Sequence, residues 1–145
     1  MMYLVDTNVV SELRRPHVQR GRSAAVNPQV LAWSKSVALA SQFLSVVTIL
    51  ELEYGALLML HRDARQGAVL RRWLDKKVLP AFAGRVLLVD TTVALQCAAL
   101  QVPDPRPDRD ALIAATALVH GMTVVTRNVA HFKPTGVALL NPWED

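Results

Sequence analysis

Along the chain, short continuous apolar runs alternate with longer stretches whose apolar residues recur at helical spacing. The runs MYLV (2–5), FLSV (43–46), RVLLV (85–89) and MTVVT (122–126) are rich in β-branched and aliphatic residues, as strands covered on both faces are. GVALL (136–140) offers a fifth. Between them the pattern predicts a helix over 7–15 stopped by Pro16, and one over 28–40 with Pro28 in its first turn. Further helices are predicted over 48–62, 64–79 (ending at Pro80), 91–102 and 111–121, the last terminated by Gly121. Residues 17–27 and DPRPDRD (104–110) read as polar loops. Strands alternating with helices predict a three-layer α/β/α domain with a mostly parallel sheet of four to five strands. The helical pair 48–79 has no strand between its members, so it stands beside the sheet as an insertion. With 145 residues, positions 1–145 make one domain with a single substantial core.

One residue breaks the first apolar run: in YLVDTNVV (3–10) an aspartate, Asp6, follows directly on the strand. Burying an unpaired carboxylate costs several kcal/mol by rough estimate, so Asp6 either caps the helix that starts at Thr7 or belongs to a charged site completed elsewhere. In a parallel α/β sheet the C-terminal strand ends and the N-termini of the following helices share one edge, where ligands bind. That edge collects Asp6, Glu51 in the first turn of the helix after the second strand, Asp108 and Asp110 at the opening of the helix before the fourth strand, and TRNVAH (126–131) after it. Each acid alone has an ordinary explanation. Asp6 and Asp108 suit N-caps, TILE (48–51) matches a capping box, and Asp110 complements a helix dipole. Glu53 points about 200° away from Glu51 and is expected to be solvated. Together, however, several carboxylates on one edge repel one another unless a positive charge sits among them, and a hard divalent cation with oxygen ligands answers that need. Thr7, Asn8, Thr126 and Asn128 add neutral hydrogen-bonding groups able to hold carboxylates or waters.

Composition narrows the classes. Apolar residues make up 52% and charged residues 19% of the chain, as in a globular rather than a disordered protein. The longest weakly polar stretch, ALIAATALVHGMTVV (111–125), is too short and too polar to span a membrane, no secretory signal pattern opens the chain, and the single Cys97 cannot form an internal disulfide. These features predict a cytoplasmic protein with no membrane association. The net charge is +4 and the pI near 9.7. Basic residues gather at Arg14–Arg15, Arg20 and Arg22, Arg71–Arg72, Lys76–Lys77, and Arg106 and Arg109, which suits a phosphate backbone or an acidic partner as well as a solvated surface. The chain has no G-x-x-x-x-G-K-[ST] loop, H-E-x-x-H helix or G-x-S-x-G elbow, which leaves the corresponding NTPase, zinc-protease and serine-hydrolase readings unsupported.

YLVDTNVVSELRRP, FLSVVTILELEYG, DRDALIAATALVHGMTVVTRNVAHF and the closing NPW occur in an order that resembles the PIN-domain family, and within it the VapC/FitB-type toxins of bacterial type II toxin–antitoxin modules. The resemblance implies a Mg²⁺- or Mn²⁺-dependent endoribonuclease acting on RNA. It also implies a homodimer held inactive by a small DNA-binding antitoxin, through which alone it meets operator DNA. By the same resemblance the family's acids fall on Asp6, Glu51 and Asp110, while its fourth position, usually aspartate in TRNxxDF, is His131 here with Asn128 retained. An imidazole brings nitrogen where Mg²⁺ prefers oxygen, so His131 either enters the metal sphere and favours Mn²⁺ or faces solvent or an RNA phosphate. The helical pair 48–79, with Leu57, Leu58, Leu60, Leu70 and Trp73, is expected to give an apolar groove for an antitoxin segment, although most such residues pack into cores. Two other readings stand beside this one. The first is a catalytically weak nucleic-acid-binding or antitoxin-partner module, and the second is a receiver-type domain with Asp90 as phosphoacceptor.

Overall fold

The computed structural model describes residues 1–144. Five parallel strands, β1 (Tyr3–Val5), β2 (Gln42–Ser45), β3 (Val86–Leu87), β4 (Thr123–Val125) and β5 (Leu139–Leu140), lie in the order β3-β2-β1-β4-β5. The chain winds outward from β1 to β2 and β3, then crosses to the other side of β1 for β4 and β5. The order therefore reverses between β1 and β4, and their C-terminal ends flank a crevice.

Neighbouring residues of each central strand face opposite layers. Val5 and Val125 join Val9, Val30, Leu44, Leu52 and Leu74 in one buried cluster, while Leu4 and Val124 join Val47, Ile113, Ala114 and Phe132 in the other. The first layer includes α1 (Thr7–Leu13), α2 (Pro28–Ser36), α3 (Val46–Arg62) and α4 (Ala64–Trp73). The second is built on α5 (Asp108–His120), where Ala111, Ala114, Ala115 and Ala117 are fully buried and let the helix lie close to the sheet. Gly121 ends this helix in the left-handed region at φ 66°, the conformation for which glycine carries no Cβ penalty.

The other elements refine the sequence reading. The helix begun at Pro28 ends at Ser36, short of residue 40, and a 3₁₀ turn at Leu39–Ser41 leads into β2. The helix predicted from residue 48 starts at Val46, because Ser45 Oγ accepts from Val47 N at 3.0 Å and caps it. TILE is therefore not a capping box, and Glu51 falls in the second turn rather than the first. The helix predicted to end at Pro80 passes through a π-turn at Leu74–Val78 and closes at Ala81. Proline is tolerated there because it sits in the opening turn of the resumed helix. A helix over Thr91–Leu100 follows β3, and four residues, Val129–Phe132, form a short helix after β4. Glu53 is not merely solvated: its two oxygens accept from Arg71 Nη1 and Nη2 at 2.8 and 2.6 Å, tying α3 to α4.

Candidate active site

Asp6 leaves β1 with its backbone extended and its carboxylate turned into the β1–β4 crevice, where it is 5% exposed. Oδ1 accepts from Thr7 N at 2.8 Å, and Oδ2 accepts from Thr126 Oγ1 at 2.8 Å and from Asn8 Nδ2 at 3.3 Å. The two sequence readings of Asp6 are thus compatible, since it caps α1 and also stands in an acidic group. Burial pushes its carboxyl above the ordinary value of 3.8 and the charges of Glu51 and Asp110 push the same way, against the hydrogen bonds from Thr126 and Thr7. Two acids far from Asp6 in sequence therefore stand close enough at this sheet edge to bear on its charge.

Each of the others is held from a separate element. Glu51, on α3, accepts from Thr7 Oγ1 at 2.8 Å through Oε1, while Oε2 lies 3.8 Å from Arg109 Nη1. Asp110, in the first turn of α5, places Oδ2 at 3.6 Å from Nδ1 of His131, which comes from the short helix after β4. The structure thus brings His131 to the acids, although its side chain stays 64% exposed. Thr126 is fully buried, and its Oγ1 also accepts from Asn128 N at 3.0 Å and Asn8 Nδ2 at 3.3 Å, while Asn8 Oδ1 accepts from Arg127 N at 3.2 Å. Asn128 enters this network through its backbone, and its side chain does not cap the helix that follows.

Two sequence candidates lie elsewhere. Asp108 does not cap α5: the cap position is Pro107, and the Asp108 carboxylate is exposed and accepts from Gln101 Nε2 at 3.3 Å. Asp90 caps the helix at Thr91 by accepting from Val93 N at 2.9 Å, beside the edge strand β3. A phosphoacceptor would stand in the crevice at the reversal of strand order, so the receiver-type reading loses its geometry. Arg109, conversely, was visible only as one of the basic residues. Its place between Asp108 and Asp110 was the available signal, and the structure sets it against Glu51 and over the Tyr54 ring at 5.7 Å.

Among the described residues the acids surround the crevice without closing into a chelating set. The donors nevertheless suit a hard cation, being carboxylate oxygens from three elements, one of them buried and destabilised by its neighbours' charge. Beside them a cavity of about 250 Å³ opens between α1 and the α3–α4 pair, with walls that include Thr7, Glu51, Leu52, Ala56, Leu70 and Trp73. Of the leucines expected to line such a groove, Leu70 does so. Leu57 and Leu58 are instead exposed at 53% and 39%, and Leu60 packs on Gly67.

Known proteins share this framework. The chain is 38% identical over 149 residues to Toxin FitB of Neisseria gonorrhoeae, covering 99% of this chain and all of that protein. It is 34% identical over 148 residues to VapC ribonuclease Y4jK of Sinorhizobium fredii, covering 99% of each. The solved structure of FitAB bound to an IR36 DNA fragment superposes with a TM-score of 0.84 at 37% identity, covering 98% of this chain and 96% of that one. The model of the PIN domain matches residues 3–135, nearly the whole chain, and with these likenesses it shows that the chain belongs to the PIN domain family.

Proposed function

We propose that this protein is a divalent-metal-dependent endoribonuclease that hydrolyses RNA phosphodiester bonds at the β1–β4 crevice, and that it is the toxin of a type II toxin–antitoxin module. The observation that carries the reading is the meeting of Asp6, Glu51 and Asp110 from three elements at the reversal of strand order, with Asp6 buried and its carboxyl pushed up partly by the other two. Relatives named as a toxin and a VapC ribonuclease, each aligned over 99% of the chain, support it.

In this reading Asp6, Glu51 and Asp110 hold Mg²⁺ or Mn²⁺ together with water, and His131 stands beside Asp110. An ion held there would supply activation of water and an offset for charge on the phosphate and the leaving oxygen. The chain's own contribution is placement. Thr126 and Asn8 fix one oxygen of Asp6 and the Thr7 backbone fixes the other. Thr7 Oγ1 and Arg109 orient Glu51 from opposite oxygens. The partner is a small DNA-binding antitoxin, through which the protein meets operator DNA; that a 37% identical relative is seen in the FitAB complex bound to a DNA fragment supports a DNA-bound assembly. Its segment occupies the cavity walled by Leu52, Leu70 and Trp73 and sends a basic side chain toward Glu51. The protein works in the cytoplasm as a homodimer, for which Leu88, Leu95 and Val102, exposed at 68%, 69% and 75%, supply apolar surface. No helix among the described residues is long and apolar enough to cross a membrane.

The test is cleavage of single-stranded RNA by the purified chain free of antitoxin. Cleavage is expected with Mn²⁺ or Mg²⁺ and lost with EDTA. Asp6→Asn and Asp110→Asn should each lower it by at least about 100-fold while the protein stays folded, since even groups behind the ligands of a metal site are worth 10- to 100-fold. Cleavage that persists in EDTA, or at wild-type rate in Asp110→Asn, rejects the reading. A binding module without catalysis would show RNA binding and no metal-dependent product.

A further inference from the structure

Two cavities lead away from the acidic crevice past Ser11 and Arg14, residues that also border the cavity beside the α3–α4 pair. The first, of about 260 Å³, opens at Asn8 and is walled by Ser11, Arg14, Arg15, Arg127 and Trp143. The second, of about 290 Å³, shares Arg14 and Arg15 and continues to Arg22 and Ser23. Asn8 Nδ2 donates to Asp6 Oδ2 at 3.3 Å, so the mouth of this groove is one hydrogen bond from the acids. Four arginines line it against one acid, Glu12. That acid is 9% exposed and accepts from Asn27 N at 2.8 Å, so little of its charge faces outward.

Three of the four arginines are placed rather than loose. Arg20 and Ser23 exchange backbone hydrogen bonds of 3.1 and 2.9 Å, making a tight turn that carries Arg22 at its tip, where Gly21 takes φ 56°. Arg127 stands 5.2 Å over the Trp143 ring and Arg14 stands 5.9 Å over that of Trp73. Among the described residues the Arg15 guanidinium has a 3.7 Å approach to Glu12 and is 49% exposed, an ion pair easily exchanged for a phosphate.

We propose that this groove, running from Arg22 past Arg15 and Arg14 to Arg127, Trp143 and Asn8, is the track on which single-stranded RNA lies as its backbone enters the crevice; the inference rests on the nuclease reading above. Three carboxylates repel a phosphate approaching the crevice, and a line of guanidinium groups leading to the same point offsets that repulsion. Flat cations layered on indole rings offer stacking surfaces to bases that are unpaired and turned outward, which duplex bases are not. Trp143 belongs to the closing NPW, so this path also gives that motif a function: it presents Arg127.

Binding is measured apart from cleavage, as the anisotropy of a short labelled single-stranded RNA of mixed sequence titrated with full-length protein in EDTA. The double variant Arg15→Gln/Arg22→Gln and the single variant Arg127→Gln should each bind at least about tenfold more weakly. The slope of log affinity against log salt should fall by about 0.7 per arginine removed. Arg62→Gln/Arg65→Gln, the same charge change where α3 ends and α4 begins, with Arg62 eleven residues beyond Glu51 on α3 and so roughly 17 Å from it by the helical rise per residue, should bind as wild type. Equal weakening by the distant pair, or tighter binding of a duplex of the same sequence, overturns the proposal. If the groove variants bind as wild type while wild type cleaves with Mn²⁺, the track is wrong and the nuclease reading stands. If they lose binding while wild type never cleaves with any divalent ion, the track stands and the nuclease reading falls.

Discussion

Asp6 meets two demands at one position: it ends a buried strand, where an acceptor is needed for the first N–H of α1, and it faces two other acids, where its charge is opposed. The second demand gives a pH signature. The folded-state pKa of Asp6 is raised, so between the ordinary value of 3.8 and the raised one the folded chain binds more protons than the unfolded chain. Its contribution to stability is therefore fully present below 3.8 and is lost as pH rises through the raised value. In EDTA, denaturant unfolding of wild type and Asp6→Asn across the acid range should differ in this window, the variant lacking the downward slope. His131 carries a second residue-scale expectation. Its Nδ1 lies 3.6 Å from Asp110 Oδ2, and at the position where the resemblance implies an aspartate it would leave the proposed cation site one negative charge poorer, with nitrogen where Mg²⁺ prefers oxygen. His131→Asp should tighten Mg²⁺ more than Mn²⁺ in direct titration; equal affinities in both proteins would put the imidazole outside the ion's reach. The approach of His131 to Asp110 was not legible in the sequence. The four-residue helix that aims it is shorter than any periodicity can reveal, and its position after β4 fixes only the neighbourhood.

At the scale of elements, local patterns were readable where one period dominates and misleading where two overlap. Val46 and Val47 continue the β-branched run of β2, so the sequence suggested a strand to residue 46, but Ser45 caps there and the helix takes both valines. That shift moves Glu51 a turn deeper without removing it from the crevice, because α3 still starts at the C-terminal end of β2. The α3–α4 pair shows a second feature hidden from pattern reading. Gly67 lies mid-helix, where alanine is normally preferred by about 1 kcal/mol, yet a Cβ there would overlap the Leu60 backbone, with Leu60 N only 2.5 Å away. Gly67→Ala should therefore destabilise the fold by about 1–3 kcal/mol, the usual range for overpacking. Gly55→Ala, on α3 with open space around the new methyl, should be neutral or stabilising. Chemical denaturation of the two variants checks both signs, and a Gly67→Ala protein as stable as wild type would mean that α3 and α4 leave room for a methyl group at Gly67.

For the molecule as a whole, the parallel α/β architecture and the gathering of Asp6, Glu51, Asp108 and Asp110 on one edge followed from two rules: alternation of strand and helix, and the shared edge of strand C-termini and helix N-termini. The choice of Asp6, Glu51 and Asp110 among them came from the resemblance to the PIN-domain family. The order β3-β2-β1-β4-β5 could not be read in advance, since strand order depends on crossings between layers rather than on any local run. Nor could the tight turn at Arg20–Ser23, embedded in a polar loop, which sets Arg22 at the groove. Topology then explains why the readable acids suffice: the reversal of strand order places the ends of β1 and β4 side by side, and Asp6 and Thr126 meet there at 2.8 Å. The central claim is that Asp6, Glu51 and Asp110 make one cation site at this crevice. Calorimetric titration of Mn²⁺ into the antitoxin-free wild type, Asp6→Asn and Asp110→Asn tests it without RNA. Saturable binding by wild type, weakened at least about tenfold in each folded variant, is the predicted result; equal Mn²⁺ affinity in all three proteins would contradict it.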